Sequence, residues 1–384
     1  TQIYYQDFSA LFGGGRFGTF QDPRLAPAGE WFDQSRNNSE KIGSRLTYAR
    51  NKLLDSPVGL VSGFDVLRDE TYQDLALSGR KWVPVSTFVN YAPFLQLETD
   101  VTDWLSLSGG LRWELAELDV PDFETLAGVQ ADLVPVAVSG GAPSFDKSLL
   151  NAGVVLRPAA DWRVYGTYSE AFSMPDVGRV LRGITAEGTS VTEFLDLSPV
   201  ITDNVEVGVE YSFDQGRVQL TWFTSSSDFG SRLEANDDGI YEVLRQATET
   251  RGWEASAHLR PLEWLSLGAG YSRLQGEYDG DGDGRLETDL GAADIGPDRL
   301  NLALDFFPDG ATRGRLQVFR YFGRGFYDGG GVEQARFDGY TTADASITTS
   351  ISRVELTASV SNLLDKQYIS YYGQASGNRN DRYF

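Results

Sequence analysis

Apolar and polar positions alternate along most of the chain. Val218, Leu220 and Trp222 alternate with Arg217, Gln219 and Thr221. Val205, Val207, Val209, Tyr211 and Phe213 alternate with Glu206, Gly208, Glu210 and Ser212. The same holds for Leu300, Leu302, Leu304 and Phe306, and for Val354, Leu356, Ala358 and Val360. A period of two places successive side chains on opposite faces of an extended chain, so each stretch predicts a strand with one apolar and one polar face. About fifteen strands are predicted in this way: 2–8, 39–50, 58–70, 86–101, 104–118, 147–158, 161–172, 201–213, 217–230, 241–260, 264–278, 297–307, 313–326, 339–350 and 353–366. Helical spacing appears only inside a connector, at Val177 to Ile184.

The connectors carry a second pattern, alternating long and short. Segments 9–38, 119–146, 173–200 and 279–296 are long, and 71–85 and 327–338 are intermediate. Between them lie 51–57, 102–103, 159–160, 214–216, 308–312 and 351–352, all short. A soluble sandwich has no reason to gather its long loops at one end and its tight turns at the other. A transmembrane barrel does, with short turns on the periplasmic side and long loops outside. Trp104, Trp162 and Trp264 each follow a short connector, at the height of the periplasmic interface where amphipathic rings belong. Leu105, Leu107 and Leu111 then face lipid, and Ser106, Ser108, Gly110 and Arg112 face a wet lumen.

Composition narrows the choice. The 384 residues show no linker, so 1–384 reads as a single, partial barrel domain, with outer loops at 9–38, 71–85, 119–146, 173–200, 279–296, 327–338 and 367–384. Cysteine is absent, which excludes disulfides and thiolate metal sites. The net charge of −22 argues against a nucleic-acid partner. No run of about 18 apolar residues predicts a membrane helix. The fold class is therefore all-β, an antiparallel transmembrane β-barrel. Bacterial barrels have an even strand number, so about fifteen strands imply further ones, and a closing strand is expected after the polar stretch Gly377 to Tyr383.

Several stretches resemble the barrels of TonB-dependent outer-membrane receptors. These are Ser169-Glu170-Ala171-Phe172-Ser173-Met174-Pro175, Asn204-Val205-Glu206-Val207-Gly208-Val209-Glu210, Pro297-Asp298-Arg299-Leu300-Asn301 and, above all, Asn362-Leu363-Leu364-Asp365-Lys366-Gln367-Tyr368, which fits the family's NLxDKxY. The runs Met174 to Ile184 and Phe194 to Asn204 look like the siderophore branch, of hydroxamate or aerobactin type. The resemblance implies a barrel of about 22 strands around a plug. The strands here would then be the seventh to the twenty-first, with the plug, six strands and the TonB-contacting segment upstream. It further implies a receptor and transporter rather than an enzyme, in the outer membrane of a Gram-negative bacterium, taking up a ferric siderophore with energy from the TonB-ExbB-ExbD complex. Outer-membrane lipid and lipopolysaccharide would surround it. The alternative is a passive porin of about 16 strands. An outer-membrane hydrolase lacks its Ser-His pattern, because the single histidine, His258, stands with Glu254 and Ser256 on the lumen face.

Candidate binding residues follow from chelate chemistry. Ferric siderophores are often anionic, so arginines and aromatic rings on the outer loops are the candidates. They are Arg179 and Arg182 on the 173–200 loop, Trp31 and Phe32 on the first loop, and Arg336, Tyr371, Tyr372 and Arg379 on the late loops. No cofactor is required by the sequence. Asp279-Gly280-Asp281-Gly282-Asp283-Gly284 matches the start of a calcium loop, with Glu287 available at the ninth position, although Leu290 occupies the twelfth where a bidentate acid is expected.

Overall fold

A computed structural model describes residues 1–15, 33–53, 56–125, 135–184, 186–193, 197–235, 241–292 and 294–375. Fifteen strands pair in chain order in one antiparallel ladder. They are β1 (Gln2–Gly15), β2 (Asp33–Arg50), β3 (Val58–Leu75), β4 (Lys81–Thr102), β5 (Leu105–Asp119), β6 (Ser144–Ala159), β7 (Trp162–Ser173) and β8 (Val200–Phe213). There follow β9 (Gly216–Ser227), β10 (Thr248–Leu262), β11 (Leu265–Tyr278), β12 (Arg299–Phe306), β13 (Thr312–Tyr321), β14 (Tyr340–Ile351) and β15 (Val354–Val360). β1 and β15 each pair on one side only among the described residues, so the ladder does not close on itself. No helix is long and apolar enough to cross a membrane.

The alternation resolves into two faces. Register places Leu107 opposite Val154, Leu111 opposite Leu150, and Val207 opposite Trp222. Leu107, Leu150, Val207, Leu220, Leu302 and Leu356 all stand exposed on this face. The other face carries an ion-paired wall: Arg112 bonds Glu114 at 2.5 Å and Asp65 at 2.9 Å, and Arg45 bonds the same Asp65 at 2.9 Å. An exposed apolar face wrapped round a charged inner wall is the reverse of a soluble protein and suits lipid outside and water inside.

Aromatic rings mark the height of the band. Trp104, Trp162 and Trp264 are exposed beside the tight turns, and the Trp162 ring lies 4.7 Å from that of Tyr211. Trp113 and Trp253 stand exposed on the same face further up, with Trp222 opposite Trp253 at 6.5 Å between rings. Trp113 lies nine positions beyond Trp104, a rise of about 23 Å on a tilted strand, close to the hydrocarbon band of an outer-membrane barrel. The turns at this end are as short as the spacing required. Ser352, in the β14–β15 turn, has φ of 59°, the left-handed geometry of tight hairpins.

The structure corrects several boundaries. β1 extends through Gly15 and β2 starts at Asp33, so the first outer connector is shorter than 9–38. The connector expected at 71–85 shrinks likewise, because β3 runs to Leu75 and β4 starts at Lys81. The strand expected over 241–260 divides: Tyr241–Leu244 pairs with Arg232–Ala235, and β10 begins only at Thr248. The one expected over 313–326 ends at Tyr321, and Arg324–Tyr327 forms a separate hairpin with Glu333–Phe337. The last strand stops at Val360 rather than 366, because Asn362 and Asp365 take φ of 52° and 46°. The Asn362 side chain closes that turn, accepting from the Lys366 N–H and donating to the Lys366 carbonyl, both at 3.1 Å. Alternation cannot show a turn made by a side-chain amide.

Two apolar clusters lie at the long-loop end, drawn mainly from the connectors, with Val83 of β4 and Leu118 of β5 joining the first. One joins Val83, Leu118, Val138, Leu181, Val191 and Leu197; the other joins Leu290, Ile295 and Phe326. The face assignment makes a prediction for the full-length protein. Leu111→Arg places a cation in hydrocarbon and should lower unfolding stability by about 2–4 kcal/mol. Gln96→Arg, opposite neighbouring Gly110 on the lumen face, should cost well under about 1 kcal/mol. Urea unfolding in lipid vesicles measures both, and equal losses would contradict the two-face reading.

Candidate functional site

The 173–200 connector folds back over the outer end of the ladder through helix α1 (Val177–Arg182). Asp176 caps it, its carboxylate accepting the Arg179 N–H at 3.0 Å. Val180 and Leu181 are buried in the first loop cluster. Arg179 and Arg182, one turn apart, therefore share another face of the helix. Both line a cavity of about 770 Å³ that reaches the ends of β1 to β5. The apolar share of its wall comes from Phe8, Phe12, Phe88, Phe172 and Met174, and the amide share from Asn37, Gln73 and Asn90.

The charges in the cavity are mostly cancelled. Asp69 is paired with Lys41 at 3.0 Å, and Glu114 with Arg112. Asp176 is paired with Arg179 at 3.1 Å. Arg182 differs. Its guanidinium lies 4.5 Å from the Trp82 ring and donates one bond, of 3.1 Å, to Gln73 Oε1. Among the described residues no carboxylate pairs with it. Burial, aided by repulsion from Arg179, brings its pKa down to about 10.

The other candidates are placed elsewhere. Arg336 is bound to Glu333, at 3.0 and 2.5 Å, within the Arg324–Phe337 hairpin, so its fork is already occupied. Tyr371 stands in the helix α2 (Tyr371–Ala375) and donates its hydroxyl to the Ile295 carbonyl. Its ring packs edge-on to Phe337 at 4.9 Å, which makes it a strut of the second cluster. Burial pushes its hydroxyl up to about 12. Tyr372 falls in the same helix. Trp31, Phe32 and Arg379 lie outside the described residues.

Asp279, Asp281 and Asp283 each bring a carboxylate oxygen within 4.8 Å of the others. Asp279 already accepts the N–H groups of Gly282, Asp283 and Gly284 at 2.7, 3.2 and 2.9 Å. Those bonds, the one from Gly284 foremost, hold its carboxyl below the usual carboxylate range. Gly282 and Gly284 have φ of 79° and 87°, which the turn needs and side chains resist. Glu287 does not join the three.

Sequence reading missed Gln73, Trp82 and Asp176. Gln73 ends a strand whose alternation gives no hint that its amide meets a loop 109 residues away. Asp176 was findable, as an Asp three residues before Arg179 at the start of a helical pattern.

Comparison with known proteins gives the following. A family model described as TonB dependent receptor-like, beta-barrel matches residues 1–363. The chain is 25% identical to the ferric aerobactin receptor of Klebsiella pneumoniae, over 97% of this chain and 53% of that one. It is 22% identical to the rhizobactin receptor of Rhizobium meliloti (strain 1021), over 76% and 39%. The structure of the copper transporter OprC superposes with a TM-score of 0.75 at 16% identity, over 97% of this chain and 58% of that one, a likeness of fold alone. The chain spans about half the length of the curated aerobactin relative it matches.

Asp176 carries two separable roles. Asp176→Ala should loosen α1 by about 1 kcal/mol, seen as roughly fivefold faster hydrogen exchange of its amides. Asp176→Asn keeps the cap and loses only the ion pair with Arg179, so exchange should stay near wild type. Equal exchange in both variants would leave the cap without a role.

Proposed function

The chain belongs to the TonB-dependent receptor-like β-barrel family, and on that premise we propose that it forms barrel wall and outer ligand mouth of a receptor for ferric siderophore uptake. The family and its relatives are receptors and transporters of the Gram-negative outer membrane. The observation that carries the proposal is the cavity under α1. It sits at the long-loop end of the ladder, combines aromatic and amide walls, and keeps one half-buried cation that no carboxylate pairs with among the described residues. A ferric chelate is a bulky ligand of mixed character, with apolar arms, polar donors and often net negative charge, and such a wall meets each part of it. The relatives named for aerobactin and rhizobactin support the same substrate class. Inward passage would draw on TonB, while the outward apolar face meets lipid and, at its upper rim, lipopolysaccharide. A second proposal is calcium at Asp279, Asp281 and Asp283, supported by their three convergent oxygens, which are part of the six to eight such an ion takes.

Full-length protein in detergent should bind members of a ferric siderophore panel saturably, read by quenching of tryptophan fluorescence. In iron-starved cells the protein should restore growth on the bound chelate only when TonB is present. Growth independent of TonB would instead support a diffusion channel. For the loop, calorimetry at millimolar calcium should show heat that Asp281→Asn reduces; no heat in the wild type removes that site.

A further inference from the structure

The ladder divides near its outer rim. β6 and β7 pair from their turn up to Asn151 opposite Ser169, and no further. Above that rung β6 stays on β5 as far as Ser144, opposite Glu117, and β7 stays on β8 as far as Ser173, opposite Val200. Two paired leaves therefore part, and each turns a strand edge into the gap. Alternate residues of an antiparallel strand present N–H and C=O to the same side. The Leu150 N–H points across the gap, where the Glu170 carboxylate accepts it at 2.8 Å in place of a strand. Ser148 and Asp146 turn the same way. On β7 the Ser169 carbonyl faces β8, where Asn204 donates to it, so Glu170 and Phe172 face β6. Their peptide groups find no strand across the gap among the described residues. Ser148 stands opposite Trp113, so the fork opens where the apolar band ends, and Glu170 closes the rung beneath.

A cavity of about 530 Å³ bridges the fork, lined from Ser144 to Lys147 on one bank and by Ile201, Asp203, Ser227 and Asp228 on the other. It shares no lining residue with the cavity under α1. Glu170 is linked to Asp203 through the Tyr168 hydroxyl, 2.9 and 2.6 Å away. Asp146, Glu170, Asp203 and Asp228 have no ion pair among the described residues, and the cations near them are two, Lys147 and Arg245. Arg245 is bonded to the carbonyls of Ser198 and Phe229. No three of the four acids converge as Asp279, Asp281 and Asp283 do, so a row of separate cations fits them better than one metal ion. Ser227 adds an observation of another kind. It is 7% exposed, and its hydroxyl has no hydrogen-bond partner. Such a group is costly until something bonds to it.

Unpaired strand edges recruit an extended chain, and unpaired acids select its charge. We propose that the fork between β6 and β7 takes up an extended basic peptide of another protein as an added strand. Its backbone bonds the two edges, and its lysines or arginines meet Asp146, Glu170, Asp203 and Asp228. This rests on the barrel and not on the ferric-chelate reading.

The test uses full-length protein in detergent and a fluorescent peptide of alternating lysine and threonine. Two control peptides carry glutamate for lysine, or N-methyl groups on alternate amides, which block strand pairing. Anisotropy should show saturable binding of the first peptide alone. Its binding should slow hydrogen exchange at Ser148, Glu170 and Phe172. Ser148→Pro removes an edge N–H and breaks no ladder bond, and it should weaken binding about fivefold. Asp146→Asn with Asp203→Asn, which leaves the backbone alone, should weaken it about threefold to tenfold. No binding at millimolar peptide overturns the inference, as does full affinity in both variants. Equal binding of the N-methylated peptide overturns it too, leaving a charge contact without a strand. Protection of the same amides without peptide, in a dimer or with lipopolysaccharide alone, would assign the fork to another occupant and overturn it likewise.

Discussion

Inside hydrocarbon no water is available to a peptide group, so each N–H and C=O at membrane depth must find its partner in the chain. Much else in this molecule depends on that constraint. It forces extended segments into one continuous antiparallel ladder, with strands of up to 22 residues. Once the ladder exists, period two does the sorting. A strand that meets lipid on one side and water on the other must be apolar at every second position, and a one-residue slip would put Arg112 in the lipid and Leu111 in the lumen. The rows of leucine and valine are thus consequences of pairing, not a separate source of order. Tryptophans at both rims then fix the depth at which the ladder sits.

A barrel wall has no interior of its own to bury apolar side chains in, and this shifts packing into the connectors. The cluster around Leu118, Leu181 and Leu197 draws from β4, from β5 and from two loops, and it is what holds α1 over the cavity. On the far side of the ladder, Leu290, Ile295 and Phe326 gather a loop, a hairpin and Tyr371 in the same way. The mouth is therefore a set of small cores standing on a rigid rim. Such loops can place a guanidinium as firmly as a strand does, which is what a selective site needs.

Legibility in the sequence follows from the range of the interaction. Strand existence and facing were readable because alternation is a local record of a two-sided environment. Turn length was readable for the same reason, and so was the helix at Val177, since Val180 and Leu181 carry its apolar positions. Boundaries at the outer end were not. There both faces meet water, alternation loses its cause, and β1 runs on into a glycine run and β3 through Thr71 to Asp74, neither of which gave a strand pattern. The site was half legible. Arg179 and Arg182 could be named because the chemistry of an anionic ligand asks for them, while Trp82, Gln73 and the pairing that isolates Arg182 depend on loop packing. Arg336 and Tyr371 show the converse, since residue type alone cannot tell a ligand contact from an arginine bound to Glu333 or a tyrosine bound to a backbone carbonyl.

The overall charge has a long reach and a short one, and the two act differently. Exposed charges are screened over about 8 Å at physiological salt, so the total of −22 governs approach from a distance rather than affinity in the cavity. Within the cavity the acids are cancelled one by one, and desolvation raises the weight of what is left over. Burial lowers the Arg182 pKa, Arg179 adds to that, and Asp176 opposes it. A half-buried cation with no carboxylate bonded to it among the described residues is costly to the fold. Packing against the Trp82 ring and the bond to Gln73 Oε1 are what this fold supplies in place of a carboxylate.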